Sequence, residues 1–120
     1  TLYIAGRRNY ESSMSIAMAS RMEPKEEAFA LCRQIIQLLK LDGNIGFDFM
    51  LDENDRPVLT DLNPRITATI VLYLAGGLNL PYLRVKQLLG EPLPEITVEY
   101  GAHLKRRYLD VIQMPSQEQP

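Results

Sequence analysis

The chain has 120 residues, of which 46% are hydrophobic and 23% are charged, a composition typical of one soluble globular domain. Thirteen basic and fifteen acidic side chains give a net charge of -2, which excludes the strongly basic surface that binds nucleic acid or an anionic membrane. No apolar run approaches the roughly 20 residues of a membrane span, so we expect neither a nucleic-acid partner nor a membrane.

The single cysteine, Cys32, cannot form an internal disulfide or a zinc cluster, and its place in a helical pattern predicts a small buried side chain. A lone cysteine of this kind favours a cytoplasmic location. The chain begins at Thr1 with strand-like residues and no preceding cap, so we expect a piece of a longer protein. A domain of this size buries only somewhat more than about 60% of its unfolded surface, and a homo-oligomer is therefore compatible with the sequence.

The first quarter of the chain predicts two strands. Residues 1–5 (TLYIA) predict an opening strand, residues 9–13 (NYESS) predict a turn, and residues 14–22, which mix Ser, Ala and Met, predict a second strand.

A helix is predicted next. Pro24 followed by Lys25 and two glutamates is typical of a helix start, because proline needs no donor there and acids are favourable at the positive end of the helix dipole. Asp42 and Gly43 predict its end. Apolar residues between these points recur at steps of three and four and predict one buried stripe. The stripe consists of Ala28, Leu31, Cys32, Ile35, Leu38 and Leu39.

From Ile45 the apolar period changes to two, which predicts a strand over residues 45–51. The polar residues 52–57 predict a turn, and residues 58–63 predict a second strand that Pro64 ends. The two strands are expected to form a hairpin.

The last third of the chain predicts two helices and a strand. The helices are expected over residues 67–74 and 79–90, each closed by glycine, and the strand over residues 98–105, with an extension towards Ile112. The predicted fold class is α+β, an antiparallel sheet backed by helices. We expect one domain over residues 1–113 and a flexible tail over residues 114–120.

The predicted hairpin brings two acids together. A turn centred between Asn54 and Asp55 places Asp48 directly opposite Asp61. The same register puts the aromatic side chains on the other face, which we expect to be core. It pairs Phe47 with Leu62, Phe49 with Thr60 and Leu51 with Val58.

Two carboxylates facing each other at about 5 Å repel by about 3 kcal/mol at an effective dielectric of about 20. Open solvent, a raised pKa of one carboxyl, or a cation between the two can offset this repulsion. Asn63, on the same face, adds a third oxygen, and a site of oxygens alone suits Mg²⁺ or Mn²⁺ with phosphate. Arg65 can offer a planar fork to the same anion. A solvated surface is the alternative, and a β-bulge in the long turn would shift the pairing and separate the acids.

Several short segments of the sequence resemble those of a known family. They lie at residues 43–49 (GNIGFDF), residues 57–65 (PVLTDLNPR), residues 75–81 (AGGLNLP), and Leu89 with Gly90. Together they resemble the C-terminal part of an ATP-grasp domain, most closely in the branch of the carbamoyl-phosphate synthase large subunit. The resemblance covers residues 1–90 and implies the C-terminal subdomain of that fold, a fragment of the whole.

The resemblance also implies roles for individual residues. Asp48, Asp61 and Asn63 correspond to the ligands of two Mg²⁺ ions that bridge the phosphates of ATP. Arg65 corresponds to the arginine that contacts phosphate or the acyl-phosphate intermediate and stabilises transition-state charge. Arg7 and Arg8 lie early in the chain, where related proteins often carry basic residues near the phosphates or the substrate, and one of them is expected to assist. A solvated strand edge is the alternative for this pair.

The implied activity is that of a ligase. ATP phosphorylates a small carboxylate substrate, and an amine or similar nucleophile attacks the acyl phosphate. The glycine loop and lysines of the family's N-terminal part are not in this sequence, so the missing N-terminal part is an expected partner and the fragment alone should be inactive. Asp61 stands where the family usually has Glu, which leaves a non-catalytic nucleotide-binding or interaction module as the alternative.

Overall fold

The structure is a computed structural model that describes residues 2–13 and 16–115. Its elements in chain order are β1 (Arg7–Ser13), β2 (Ile16–Met22), α1 (Glu26–Leu39), β3 (Gly46–Leu51), β4 (Pro57–Asn63), α2 (Ile70–Ala75), α3 (Leu80–Leu88) and β5 (His103–Lys105). The predicted α+β class is confirmed. The described strands form two antiparallel sheets, β1-β2-β5 and the hairpin β3-β4.

The core lies where the helices α2 and α3 pack against the central strand β2. Its buried members are Met22, Leu72, Tyr73, Leu78 and Leu83. Backbone hydrogen bonds beyond β5 extend this packing, since Met22 N donates to Ala102 O over 2.9 Å and Gly101 N donates to Met22 O over 3.0 Å. The sheet therefore continues past the three residues of β5 through single backbone contacts.

The N-terminal prediction is wrong in detail. Residues 2–6 have no regular structure, and β1 begins at Arg7 and runs through the predicted turn at residues 9–13. Long-range pairing with β2 overrides the local turn preference of these residues, and register shifts beside Glu11 absorb the irregularity. The strand predicted over residues 14–22 is confirmed from Ile16 onwards, whereas Met14 and Ser15 lie outside the described residues.

The helix α1 confirms the strongest periodic pattern in the sequence. It ends one turn earlier than predicted, because Lys40 adopts a left-handed conformation with φ of 52°. Ala28 and Cys32 are buried as predicted, but Leu38 and Leu39 are 81% and 56% exposed. Burial raises the pKa of the Cys32 thiol. The apolar stripe is covered over the first half of the helix only.

The two later helices are shorter than predicted. α2 begins at Ile70, and Asn79 caps α3 by accepting a hydrogen bond from Tyr82 N over 3.2 Å. Gly76 follows the end of α2, where Met22 and the backbone of Glu99 pack closely against it. An added Cβ would lie 2.6 Å from Met22 Cε and 2.7 Å from Glu99 O.

The predicted final strand is confirmed only at His103–Lys105. Residues 106–114 are irregular, and the expected tail falls mostly outside the described residues, at 116–120. Among the described residues, no helix combines the length and the apolar character that crossing a membrane requires.

The stability of the core should depend on the buried face of α2 and not on its exposed face. Leu72 is 2% exposed, whereas Leu74 in the same helix is 55% exposed. We expect Leu72→Ala to lower the free energy of unfolding by about 2–5 kcal/mol, because it removes buried methyl groups and leaves a cavity. Leu74→Ala is the matched control and should change it by less than about 0.5 kcal/mol. Urea denaturation measures both, and equal losses would contradict this placement of the core.

Candidate functional site

The hairpin β3-β4 pairs Asp48 with Asp61, as the sequence predicts. Beyond this pair the register shifts by one residue, so the predicted pairs Phe49–Thr60 and Leu51–Val58 are wrong. The observed pairs towards the turn are Phe49 with Leu59, Met50 with Val58 and Leu51 with Pro57.

Thr60 is the extra residue of the β-bulge that causes the shift, and its hydroxyl donates to Asp48 O over 3.0 Å. The bulge lies between the acids and the turn. It therefore compensates for a turn that is displaced from the predicted centre, and the two carboxylates stay opposite each other.

The amide of Asn63 bridges the two carboxylates. Its Nδ2 donates to Asp61 Oδ2 over 3.1 Å and to Asp48 Oδ2 over 3.4 Å. Asp61 Oδ1 also accepts a hydrogen bond from Leu62 N over 2.9 Å. Donors on the hairpin itself thus offset part of the repulsion between the acids, an arrangement that the sequence did not predict.

Arg7 adds the nearest positive charge. Its Nη2 lies 3.9 Å from Asp48 Oδ1, and its side chain is only 15% exposed. Arg7 Nη1 donates to the hydroxyl of Tyr73 over 2.8 Å, while Nε is buried without a hydrogen-bond partner. Its neighbour Arg8 lies over the ring of Tyr10, 5.9 Å from the ring centroid. Of the two arginines, the structure places Arg7 beside the acids.

Arg65 follows the hairpin and is exposed. Its Nη1 donates to Ile66 O over 3.1 Å, and its backbone N donates to Asn63 O over 2.8 Å. Gly46 keeps the segment after Arg65 close to β3, because a Cβ there would lie 2.4 Å from Thr67 Cγ2. The guanidinium of Arg65 is thus anchored at the end of the strand that carries Asp61.

A cleft of about 850 Å³ runs between β1 and the hairpin. Arg7, Asp48 and Arg65 line it, whereas Asp61 and Asn63 are not lining residues and lie beside it, in contact with Asp48. The volume lies within the range of about 300–1,000 Å³ that holds small-molecule ligands.

The aromatic face of the hairpin was expected to be core, but Phe47 and Phe49 are only half-buried and line the cleft. Their rings stack with centroids 6.5 Å apart. The expectation of a core face is therefore wrong, and the shifted register also replaces Thr60 by Leu59 opposite Phe49.

A salt bridge across the cleft connects the tip of the hairpin to the residue before α1. Lys25 Nζ lies 2.7 Å from Asp55 Oδ2. The hydrogen bond that Lys25 donates and the charge of Lys25 lower the pKa of Asp55, and the same hydrogen bond, accepted by Asp55, raises the pKa of Lys25. Neither residue carried a motif that predicts this contact, because thirty positions separate them.

The donor set fits a hard divalent cation. Two carboxylates and one amide oxygen are ligands that Mg²⁺ accepts while it keeps water or phosphate oxygens in its remaining positions. Asn63 presents its nitrogen to the acids here, and a half-turn of the amide presents the oxygen instead. Within residues 2–13 and 16–115 there is no cluster of three or more His, Cys, Asp or Glu side chains that could hold a metal. The amide is therefore the third protein donor that can stand beside the two acids.

Comparison with models of known protein families gives a match. A family model described as ATP-grasp in the biosynthetic pathway with Ter operon matches residues 1–110, which include every element from β1 to β5. The expected branch of the carbamoyl-phosphate synthase large subunit is not confirmed by this match and stays a prediction. No solved structure matches the chain.

Removing one of the facing charges should stabilise the metal-free chain. We expect Asp61→Asn to raise the free energy of unfolding by about 0.2–1 kcal/mol, because like charges directly opposite on a sheet are destabilising. Asp110→Asn, at an exposed position outside the hairpin, is the control and should leave it unchanged. Urea denaturation in the presence of a chelator measures both, and a clear loss of stability in Asp61→Asn would contradict the prediction.

The salt bridge between Lys25 and Asp55 should stabilise the hairpin tip only within a pH range, which the pKa values of the two residues bound. Because the folded pKa of Asp55 is lowered, its contribution is present above the unfolded pKa and is lost as the pH falls through the folded pKa. Because the folded pKa of Lys25 is raised, its contribution is present below the unfolded pKa and is lost as the pH rises through the folded pKa. Between these limits Asp55→Asn should speed hydrogen exchange at Asp52 N and residue 55 N. Asp110→Asn is the control and should leave hydrogen exchange at these two amides unchanged. The same result for Asp55→Asn would contradict a stabilising role of the salt bridge.

Proposed function

Since the chain belongs to the ATP-grasp family, we propose that it holds the phosphates and metal ions of an ATP-dependent ligase that activates a carboxylate. Membership of this family supports a ligase-type enzyme that binds ATP. The observation that carries the proposal is the placement of Asp48 opposite Asp61, with Asn63 contacting both, beside a cleft that Arg7 and Arg65 also line.

The chain's own residues would hold Mg²⁺, or Mn²⁺ in its place. Asp48 and Asp61 offer carboxylate oxygens, and Asn63 offers its amide oxygen once the side chain has turned. When bound, the metal neutralises charge on the phosphate chain and polarises the terminal phosphorus. The repulsion between the two acids and the hardness of their oxygens favour such an ion at this position.

The proposed reaction has two steps. An oxygen of the substrate carboxylate attacks the terminal phosphorus of ATP, the bond from that phosphorus to the bridging oxygen breaks, and ADP leaves with the electron pair. A nucleophile such as an amine then attacks the carbonyl carbon, loses a proton, and displaces phosphate. The guanidinium of Arg65, with that of Arg7, stabilises the negative charge on the transferred phosphoryl group. Neither step requires a covalent bond to the chain.

The matched family, ATP-grasp in the biosynthetic pathway with Ter operon, favours a biosynthetic ligase as the parent activity. A small carboxylate as substrate and the carbamoyl-phosphate-synthase-like branch are finer proposals that rest on the sequence motifs. Asp61 is one methylene shorter than the usual Glu, which motivates the competing function of a nucleotide-binding module without turnover. A cytoplasmic location and a second copy of the chain as partner likewise stay predictions.

Metal binding tests the donor set directly. We expect the chain to bind Mn²⁺ in the presence of ATP, and Asp48→Asn and Asp61→Asn each to weaken this binding at least tenfold, because each removes a charged oxygen ligand. Electron paramagnetic resonance of free Mn²⁺ measures the bound fraction. Asp110→Asn is the control with the same charge change. Wild-type affinity in both hairpin variants would remove the basis of the proposed site.

Turnover in the complete protein separates the two functions. Hydroxylamine traps acyl phosphates as hydroxamates, so ADP release coupled to hydroxamate formation across a set of small carboxylic acids supports the ligase. Arg65→Ala should lower the rate by about 10²–10³, the range seen when a group that stabilises transition-state charge is removed. Tight binding of Mg-ATP without ADP release would instead support the binding module.

A further inference from the structure

We propose that Tyr73 is a positioning residue, which holds the guanidinium of Arg7 so that its Nε–Nη2 edge binds an oxyanion of the ligand in the cleft. The inference rests on the proposed function and adds to it a residue that touches neither metal nor phosphate. Tyr73 lies on α2 and Arg7 starts β1, so the contact joins the helical core to the sheet.

The first step is the geometry of the guanidinium. Arg7 Nη1 donates to the Tyr73 hydroxyl over 2.8 Å, which fixes one end of the planar group. Nη2 lies 3.9 Å from Asp48 Oδ1, an ion pair beyond hydrogen-bond distance, and Nε is buried without a hydrogen-bond partner among residues 2–13 and 16–115. The edge formed by Nε and Nη2 therefore has one unsatisfied donor, Nε, beside one that makes only a long ion pair.

The second step is the chemistry of that edge. Two parallel N–H donors of a guanidinium match the spacing of two oxygens on a carboxylate or a phosphate. A buried donor without an acceptor is costly, so an acceptor in the cleft is strongly favoured. Arg7 lines the cleft together with Arg65, and both cations lie on the path of an anionic ligand.

The third step is the rigidity of the support. Tyr73 is 8% exposed and belongs to the core cluster with Met22, Leu72 and Leu78. A side chain packed in this way has one orientation, so its hydroxyl is a fixed acceptor for Arg7. A long arginine side chain that is held at one end loses less conformational entropy when it binds a ligand.

The test is binding of two oxyanion probes, magnesium tripolyphosphate and sodium acetate, followed by NMR of the Arg7 Nε–H resonance and by calorimetry. Tyr73→Phe keeps the packed ring and removes only the hydroxyl, and we expect it to weaken binding of one probe about tenfold. A loss with tripolyphosphate identifies the phosphate chain as the ligand of this edge, and a loss with acetate identifies the carboxylate substrate. Tyr82→Phe, on the exposed side of α3, is the matched control and should bind as the wild type does.

A double-mutant cycle shows whether Tyr73 acts through Arg7. Arg7→Gln should weaken binding at least as much as Tyr73→Phe, and adding Tyr73→Phe to Arg7→Gln should cause no further loss. A purely structural role predicts equal losses of affinity in both backgrounds, and that result would overturn the inference.

The inference can fail while the proposed function survives. If Asp48→Asn abolishes Mn²⁺ binding but Tyr73→Phe binds both probes as the wild type does, only the role of Tyr73 is wrong. If the wild-type chain binds neither probe, the inference that Arg7 binds an oxyanion is wrong. The measurement of Mn²⁺ binding then tests the metal site independently.

Discussion

Two carboxylates held face to face on a hairpin are the constraint around which the site is built. The backbone fixes Asp48 opposite Asp61, and the free energy of that arrangement depends on what surrounds it. In the structure the amide of Asn63 and the guanidinium of Arg7 supply the compensating positive groups. The amide can turn to present oxygen, and the arginine can exchange its carboxylate neighbour for another anion. Both groups are therefore compatible with the cation and the anionic ligand that we propose.

The cleft exists because the hairpin forms a sheet of its own. The core is built on β1-β2-β5 with α2 and α3, and the hairpin is attached beside it through individual side chains. Lys25 with Asp55 connects its tip, Thr67 lies against Gly46 at its base, and Arg7 approaches Asp48 between them. The two charged contacts are partly exposed, so each contributes little to the stability of the hairpin against the core.

Tyr73 links the core to the candidate site. Its ring packs in the core, while its hydroxyl accepts a hydrogen bond from the arginine nearest the acids. Packing of α2 against β2 therefore determines where a positive charge lies in the cleft. A change that loosens α2 would disturb the site even if every residue of the hairpin were unchanged.

The sequence by itself determined the local elements and the pair of acids. Helical and strand periodicity placed α1 and the hairpin, because these patterns depend on neighbours a few residues away. The pairing of Asp48 with Asp61 was also correct, although the predicted turn centre was displaced and the bulge at Thr60 restored the register. The remaining features required the tertiary structure. These features join residues that are distant in the chain. They are the extension of β1 through the predicted turn, the hydrogen bond of Arg7 with Tyr73, and the salt bridge of Lys25 with Asp55. No local pattern encodes such contacts, since they form only when packing of the core brings the elements together.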